Sequence, residues 1–388
     1  MKIEYYNCPI SQNLDTGNLP QSPAFLSYEP NFTQIEQFAE QYKDFQNLVI
    51  IGHGGSITSF YGMYHSLREQ STKQVYFIST VDPDYIQEIK NFVDPKDTLV
   101  IAISKSGETV TQIEALMQFV DFPLLFITGA LGPLAEVANK LKATVILHPP
   151  IGGRFTGLTE VGLLPAGLCG FDVRAMHKSA REWYVQYQQD NTAFRTASIF
   201  QQLEEQGFVD VFMPIYDSHL FALSNLIIQL CHESFGKGGK GQTYFAHPAP
   251  ESQHHTNQRF FGGRKNMAGL FTSTDKPLQD AVTIIPDPIK AILFKDSSLG
   301  VLDGIPLSQS LHSELVGTME DAKLQNIPVI HQSIVQRSAS EVGGLIAFWQ
   351  MYAVYGAVLR GVDPFNQPQV ENSKNISFTK RLQYKGLL

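Results

Sequence analysis

The strongest constraint on the fold is a series of short apolar runs separated by helix-like segments. Five such runs, NLVIIG, QVYFIST, TLVIAIS, PLLFITG and ATVILH, lie between residues 47 and 148. The stretches between them, such as ETVTQIEALMQFV, carry apolar residues at helical spacing. Because strand–helix alternation produces right-handed βαβ units, the pattern predicts a parallel sheet with helices on both faces.

The second half of the chain repeats this alternation, with FVDVFMPI, MAGLFTS and IPVIHQS as strands. We therefore predict an α/β protein with two doubly wound, three-layer α/β/α domains, at residues 30–172 and 200–345. Linking helices (173–199) join the domains, and a C-terminal helix and tail (346–388) end the chain. The apolar segment EVGGLIAFWQMYAVYGAVLRG contains a glutamate, tyrosines and paired glycines, which predict a buried core helix rather than a membrane span.

Composition excludes several classes of function. The formal net charge of -8 argues against a nucleic-acid binder, although a single pocket can still be positive. Three cysteines without CxxC spacing and an N-terminus without an apolar signal core predict a cytoplasmic protein with reduced thiols. No metal-ligand pattern occurs, so we expect no cofactor and no metal; only the histidines of AHPAPESQHHTNQ could mimic a metal site.

Two polar turns follow predicted strands of the first sheet. One, GHGGS, places Gly55 and Ser56 at a strand-to-helix junction, and the other has the sequence SKSGET. Helix N-termini bind anions, and such turns converge where the strand order of a doubly wound sheet reverses. Neither turn matches a dinucleotide or P-loop pattern, so a phosphomonoester is the best candidate ligand. The alternative for the first turn is a plain connection with Ser56 as an N-cap. In the second turn Ser104, Ser106 and Thr109 supply three hydroxyl donors, and Lys105 lies between them.

The second turn also contains Glu108, whose carboxylate would repel a phosphate. We expect that side chain to turn toward solvent and to help cap the following helix.

The two turns resemble the sugar isomerase (SIS) domain, a doubly wound fold that binds phosphosugars. Four further stretches, GGRFTGLTEVGLLPAGLCG, QLCHESFGKGGKG, ESQHHTNQ and PFNQPQVENSK, are similar to sequence blocks of the glucose-6-phosphate isomerase (phosphoglucose isomerase) family. The region of the two turns counts as one block, and together with the four stretches it makes five blocks that occur in the family's order over residues 47–374. The resemblance implies two SIS domains and the reversible isomerisation of D-glucose 6-phosphate to D-fructose 6-phosphate through a cis-enediolate.

The resemblance also implies a role for individual residues. Glu233 matches the base that moves the proton between C1 and C2, and Arg154 matches the arginine that faces the enediolate. His254 matches the histidine that opens the sugar ring, although its neighbour His255 is a rival on sequence alone. The resemblance further assigns ring-opening assistance to Lys374 and pocket contacts to Gln253 and Gln367. It also implies phosphate contacts from Ser56, Ser104, Lys105 (through its backbone N–H), Ser106 and Thr109.

Without the resemblance, ordinary structural roles are alternatives to these assignments. Glu233 could be a solvated carboxylate at a helix end, Arg154 a surface ion pair and Lys374 a tail lysine. Two departures from the family pattern are Asn366, where Asp is usual, and Thr156, where Ser is common.

Other functions and the assembly state stay open at this point. The enzyme alternatives are an isomerase that also accepts mannose 6-phosphate and another SIS-domain isomerase, such as the isomerase half of glucosamine-6-phosphate synthase. A noncatalytic sugar-phosphate sensor is the alternative of another class. Family members usually form dimers in which the ring-opening histidine enters the neighbour's pocket, so we predict a homodimer. The chain is shorter than typical members, and we expect it to lack N-terminal helices and surface arms.

Overall fold

The computed structural model describes residues 1–388, and two five-stranded sheets organise it. The first sheet is parallel throughout. The elements of the first half are β1 (Lys2–Tyr6), α1 (Phe32–Gln41), β2 (Asn47–Gly52), α2 (Thr58–Leu67), β3 (Gln74–Ile78), α3 (Pro83–Phe92), β4 (Thr98–Ser104), α4 (Val110–Leu116), β5 (Leu124–Thr128), α5 (Pro133–Lys140), β6 (Thr144–Leu147) and α6 (Glu160–Leu168).

The strand order of this first sheet is β3-β2-β4-β5-β6, so its direction of growth reverses between β2 and β4. Every residue of β4 is buried, because helices cover both faces of the sheet. This order is the doubly wound arrangement predicted from the five apolar runs.

The second sheet contains four parallel strands and one antiparallel edge strand. Its order is β8-β7-β9-β12-β1. The elements of the second half are α7 (Val173–Tyr184), α8 (Thr192–Glu205), β7 (Asp210–Tyr216), α9 (Ser224–Phe235), β8 (Thr243–Pro248), α10 (Thr256–Gly262), β9 (Met267–Thr274), α11 (Asp287–Lys290), β10 (Leu293–Phe294), β11 (Ser297–Ser298), α12 (Leu307–Leu324), β12 (Val329–Ile334), α13 (Ala339–Leu359) and α14 (Glu371–Tyr384).

Helix α13 is the central element between the two sheets. It packs against α7, α8 and α9, and a single cluster of 68 buried side chains extends from the first domain through α13 to the second. Gly343 allows the close approach to α7, because a Cβ there would lie 2.2 Å from the carbonyl oxygen of Met176. This is the one helix long and apolar enough to cross a membrane, and 89% of its apolar window is buried inside the protein. The prediction of a buried core helix is therefore confirmed.

The structure differs from the sequence-based domain description in three places. The first strand, Lys2–Tyr6, lies in a segment that the sequence left unassigned, and it pairs with β12 of the second sheet. The predicted boundary at 345/346 falls inside α13. Residues 275–306 form an exposed excursion that the domain prediction did not distinguish, with large apolar side chains such as Ile284 and Leu293 on its surface.

Candidate active site

The two polar turns lie side by side at the carboxyl edge of the first sheet. Gly52, the last residue of β2, pairs with Ile103 in β4, so the turns that follow both strands start from neighbouring positions. This is the point where the strand order reverses, which is where doubly wound proteins bind ligands. The ring Nε2 of His53 also lies 3.0 Å from Oγ1 of Thr111 in the first turn of α4, which joins the two turns directly.

The first turn packs against the backbone that carries Arg154. A Cβ on Gly55 would lie 2.1 Å from the carbonyl carbon of Gly153 and 2.2 Å from the amide nitrogen of Arg154, so only glycine fits. Gly54 adopts a φ of +51°, which also favours glycine. Ser56 makes no capping bond to α2, whose N-cap is Ile57, so the plain N-cap alternative for Ser56 is wrong.

We expect Gly55→Ala to lower the free energy of unfolding by about 1–3 kcal/mol, because the added methyl group forces two backbone segments apart. The displacement should also reduce catalytic efficiency, since it moves the Arg154 backbone away from the turn. Chemical denaturation and steady-state kinetics measure both effects. Gly317→Ala is the matched control for stability, because nothing lies within 4 Å of a Cβ at that helical position. Equal stability of Gly55→Ala and wild type would contradict this packing argument.

The second turn is held in shape by its own hydroxyl groups. Oγ of Ser104 accepts a bond from the N–H of Gly107 (3.1 Å), and Oγ of Ser106 accepts one from the N–H of Glu108 (3.2 Å). Thr109 is the N-cap residue of α4 but makes no side-chain capping bond. The hydroxyl hydrogens of all three predicted ligands therefore have no acceptor in the protein. The side chains of Lys105 and Glu108 are exposed, and Glu108 makes no bond that caps α4.

Arg154 and Glu233 form a pair at the base of the first turn. Nη1 of Arg154 donates to Oε2 of Glu233 at 2.9 Å and to Oε1 of Gln367 at 3.0 Å. Nε donates to Oγ of Ser234 at 3.0 Å, and Nη2 donates to the backbone carbonyls of Asn366 (3.2 Å) and Pro364. Nη2 also donates to the backbone carbonyl of Glu233 at 3.4 Å, so six acceptor groups fix the guanidinium.

The two members of the pair differ in their access to solvent. Arg154 is only 3% exposed, which excludes the alternative of a surface ion pair. Burial lowers the pKa of its guanidinium, and the carboxylate of Glu233 opposes that shift. The Glu233 side chain, at the end of α9, keeps 31% of its surface accessible. A fixed cation beside an accessible carboxylate is an arrangement that can move a proton and stabilise the anion that results.

The structure adds Gln229 to the candidate site, a residue that the sequence analysis missed. Its Nε2 donates to Oε1 of Glu233 at 3.0 Å, and its Oε1 accepts from Oγ1 of Thr58, the first residue of α2, at 2.8 Å. Both oxygens of Glu233 are therefore held, one by Arg154 and one by Gln229. The spacing of four residues on α9 was the available signal, since it places Gln229 on the same helix face as Glu233.

The two departures from the family pattern do not weaken this arrangement. Thr156 is buried, and its hydroxyl donates to the carbonyl of Gly153 at 2.7 Å, which closes the short turn that carries Arg154. Asn366 contributes its backbone carbonyl to Arg154, while its side chain donates to Asp363 at 2.7 Å.

His254 and Gln253 lie away from this site. His232, beside Glu233, accepts a bond from the N–H of Tyr244 at the start of β8 (2.9 Å), whereas His254 follows the far end of that strand. β8 is six residues long, which corresponds to about 17 Å between its first and last Cα atoms at roughly 3.3 Å per residue. No hydrogen bond joins His254 to Glu233, Arg154 or Gln367 within one chain.

His254 instead borders an open surface groove against α12. There Nε2 of Gln253 donates to Oγ1 of Thr318 at 2.9 Å. The neighbouring His255 is exposed as well and contacts Oγ1 of Thr256 at 2.7 Å. No group of three or more His, Cys, Asp or Glu side chains in the chain lies close enough to hold a metal ion.

Lys374 also lies apart from the other predicted residues. Its Nζ contacts Oε1 of Glu371 at 2.8 Å, and 63% of its side chain is exposed. Helix α14, which carries it, has no buried residue and is attached through an ion pair between Arg381 and Glu114 of α4, with two N–O distances of 2.7 Å. The predicted residues that the structure brings together are Gly55, Ser56, Ser104, Lys105, Ser106, Thr109, Arg154, Glu233 and Gln367.

Sequence comparisons find a family model that matches part of the chain and relatives that align with most of it. The family model described as phosphoglucose isomerase matches residues 32–122. A probable glucose-6-phosphate isomerase of Methanococcus maripaludis is 28% identical over 372 residues, which cover 89% of this chain and 81% of that protein. A glucose-6-phosphate isomerase of Latilactobacillus sakei is 25% identical over 378 residues, which cover 89% of this chain and 83% of the relative.

Structural comparisons find solved structures whose fold is similar to that of this chain. The crystal structure of a hypothetical protein of Thermus thermophilus has a TM-score of 0.82 and 27% identity, and the match covers 90% of this chain and 87% of that one. A glucose-6-phosphate isomerase of Chlamydia trachomatis has a TM-score of 0.78 and 20% identity, with 92% and 73% covered. The second likeness, at this identity, supports the fold alone.

Proposed function

We propose, from the premise that this chain is a member of the phosphoglucose isomerase family, that it interconverts D-glucose 6-phosphate and D-fructose 6-phosphate. The reaction moves one proton between C2 and C1 of the open-chain sugar and passes through a cis-enediolate. It needs a base, a cation for the developing negative charge, an anchor for the phosphate and a group that opens the ring.

The observation that carries the proposal is the position of Glu233 relative to the first polar turn. The carboxylate is connected to the start of α2 through Gln229 and Thr58, and its partner Arg154 follows the backbone packed against Gly55. A phosphate bound at the two turns therefore leaves the rest of the sugar next to an accessible carboxylate.

In this proposal Glu233 is the base that removes the proton from one carbon and returns it to the other. Arg154 donates to Glu233 in the resting state and has no freedom to rotate away, so its charge stays beside the carbons where the enediolate forms. Gln367 contacts the same guanidinium and lies in position to bind a sugar hydroxyl.

The phosphate anchor in the proposal consists of the two turns. The hydroxyl groups of Ser56, Ser104, Ser106 and Thr109 and the backbone N–H of Lys105 supply donors, and the flexible Lys105 side chain adds a nearby cation. The exposed Glu108 leaves the turn's interior free of negative charge.

No cofactor or metal is required for this chemistry, and we expect full activity after treatment with EDTA.

Ring opening is proposed to use His254 from a second copy of the chain. Within one chain His254 borders the groove against α12 and makes no hydrogen bond to Glu233, Arg154 or Gln367. The exposed excursion (residues 275–306) leads directly into α12, which borders the His254 groove, and its large apolar side chains favour an interface there. We therefore propose a homodimer with two composite sites.

Lys374 can assist ring opening only if α14 changes position. The helix has no buried side chain, and its ion pair from Arg381 to Glu114 anchors it beside the second turn. We propose that substrate phosphate draws the lysine end of α14 toward the pocket while the Arg381 end stays fixed.

The three free cysteines fit the cytoplasmic location proposed for this enzyme.

The test is a coupled assay with fructose 6-phosphate as substrate and glucose 6-phosphate as detected product. We expect turnover that follows saturation kinetics and survives EDTA. Binding of fructose 6-phosphate without turnover would contradict the proposal and favour a sugar-phosphate sensor. The same assay with mannose 6-phosphate decides whether the enzyme has the wider specificity, because mannose and glucose 6-phosphate differ only in configuration at C2.

A further inference from the structure

His53 lies between the two polar turns, at the junction that we call the seam. Neither the predicted site nor the comparisons assign it a role. It follows β2 directly, and its Nε2 lies 3.0 Å from Oγ1 of Thr111 on α4. Predicted phosphate contacts flank both partners: Ser56 lies three residues after His53, and Thr109 lies two residues before Thr111. The ring is half-buried, and its Nδ1 has no hydrogen-bond partner in the protein.

The exposed Lys105 supplies one positive charge near a bound phosphate dianion, which leaves the second negative charge of the dianion without a cation. On the second turn the exposed side chains of Lys105 and Glu108 have opposite charges. Several charged groups on neighbouring elements are already engaged: Glu114 of α4 with Arg381 of α14, Glu233 of α9 with Arg154, Lys374 with Glu371, and Asp82 with the N–H groups at the start of α3. The other predicted phosphate ligands are neutral hydroxyl groups and backbone N–H groups.

We propose that His53 is a phosphate-coupled residue, which takes up a proton when the phosphate of the substrate enters the seam and thereby supplies the missing positive charge. The proposal rests on the function proposed above, because it assumes that the two turns hold a phosphate. The hydrogen bond to Thr111 survives protonation, since an imidazolium Nε2–H donates to a hydroxyl oxygen just as a hydroxyl donates to a neutral ring nitrogen. The geometry of the two turns is therefore the same before and after the proton arrives.

The sign of the pH effect follows from the two states. In the free enzyme burial lowers the pKa of His53, and no charged side chain contributes to the shift. A nearby dianion favours the charged imidazolium and raises that pKa on binding. Affinity for the phosphate group should therefore be higher at pH values where the bound form is protonated, and it should fall as pH rises through the pKa of the complex.

The experiment is calorimetric titration with D-glucitol 6-phosphate, which has no carbonyl group and cannot be isomerised. Measurements near pH 7 in two buffers of different ionisation enthalpy give the number of protons taken up per ligand bound. We expect wild type to take up about 0.3–1 proton per site more than His53→Gln, whose amide can still bond to Thr111 but does not titrate. The ionisation of the ligand itself is the same in both proteins and cancels in the difference.

Thr111→Val is the second variant, because it removes the hydrogen bond and leaves the imidazole. It should weaken binding by about threefold to tenfold while the proton uptake persists. The proton nuclear magnetic resonance signals of the wild-type His53 ring give the same readout without any variant, as a shift toward the imidazolium position when the ligand is added. Equal proton uptake in wild type and His53→Gln, with both binding the ligand, would overturn the role of His53 and leave the proposed function intact. Failure of wild type to bind glucitol 6-phosphate would instead remove the phosphate site itself.

Discussion

Glu233→Gln is expected to lower kcat for fructose 6-phosphate by about 10³- to 10⁴-fold, because it removes the base and leaves the rest of the pocket in place. The new glutamine side chain can keep the same neighbours. Its Oε1 can accept a hydrogen bond from Arg154, and its Nε2 can donate to Oε1 of Gln229 once the Gln229 amide has rotated. Nε2 of Gln229 then donates to the hydroxyl oxygen of Thr58. The affinity for D-glucitol 6-phosphate should therefore change by less than about tenfold.

The loss of negative charge beside a buried guanidinium has a separate cost in stability. Arg154 keeps its bonds to Ser234, Gln367 and three backbone carbonyls, so we expect a decrease in the free energy of unfolding of about 1–3 kcal/mol rather than loss of the fold. Chemical denaturation, ligand binding and the coupled assay distinguish the two effects. Glu88→Gln on the exposed face of α3 is the matched control and should leave all three measurements unchanged. A kcat within tenfold of wild type for Glu233→Gln would remove Glu233 from the mechanism.

The second large effect is recovery of activity from two inactive proteins. Glu233→Gln lacks the base, and His254→Gln lacks the group proposed to open the ring of a substrate in the neighbouring subunit. When the two proteins are mixed, unfolded and refolded together, half of the dimers should contain one chain of each kind. Each mixed dimer has one site with both mutations and one intact site, so the mixture should reach about a quarter of wild-type activity.

The result depends on the distance between the two residues within one chain. If His254 served its own pocket, every site in the mixture would carry one defect and activity would not recover. Two affinity tags confirm that mixed dimers have formed, and the pair His255→Gln and Glu233→Gln tests whether the neighbouring histidine is the active one. A fully active monomer in sedimentation, or no recovery in verified mixed dimers, would contradict the composite site.

Local signals in the sequence were sufficient for the sheets and for the two turns. The apolar run TLVIAIS is fully buried, and the glycine of GHGGS that meets the Arg154 backbone could be read as a close-approach position. These features depend on neighbours along the chain and on the period of the apolar pattern, which a sequence displays directly. β1 was missed because Lys2–Tyr6 is a short, partly exposed edge strand whose partner is more than 320 residues away.

The residues that form the pocket could be predicted only in part from the sequence, because the pocket depends on how distant segments meet in the fold. Motifs identified Glu233, Arg154 and Gln367, and the structure joins them through direct bonds. Gln229 belongs to no motif and shows its importance only through bonds to Glu233 and Thr58. His254 and Lys374 were identified by the same kind of motif, yet His254 lies beyond the far end of β8 and Lys374 lies on an exposed helix. A family motif does not say which subunit, or which position of α14, completes a site.

The most direct measurement is a crystal structure with a sugar-phosphate hydroxamate that mimics the enediolate. We predict that its phosphate oxygens lie within hydrogen-bond distance of the hydroxyl groups of Ser104, Ser106 and Thr109, and that its hydroxamate end contacts Glu233 and Arg154. A phosphate bound elsewhere, or a hydroxamate end that leaves Glu233 without contact, would contradict the account.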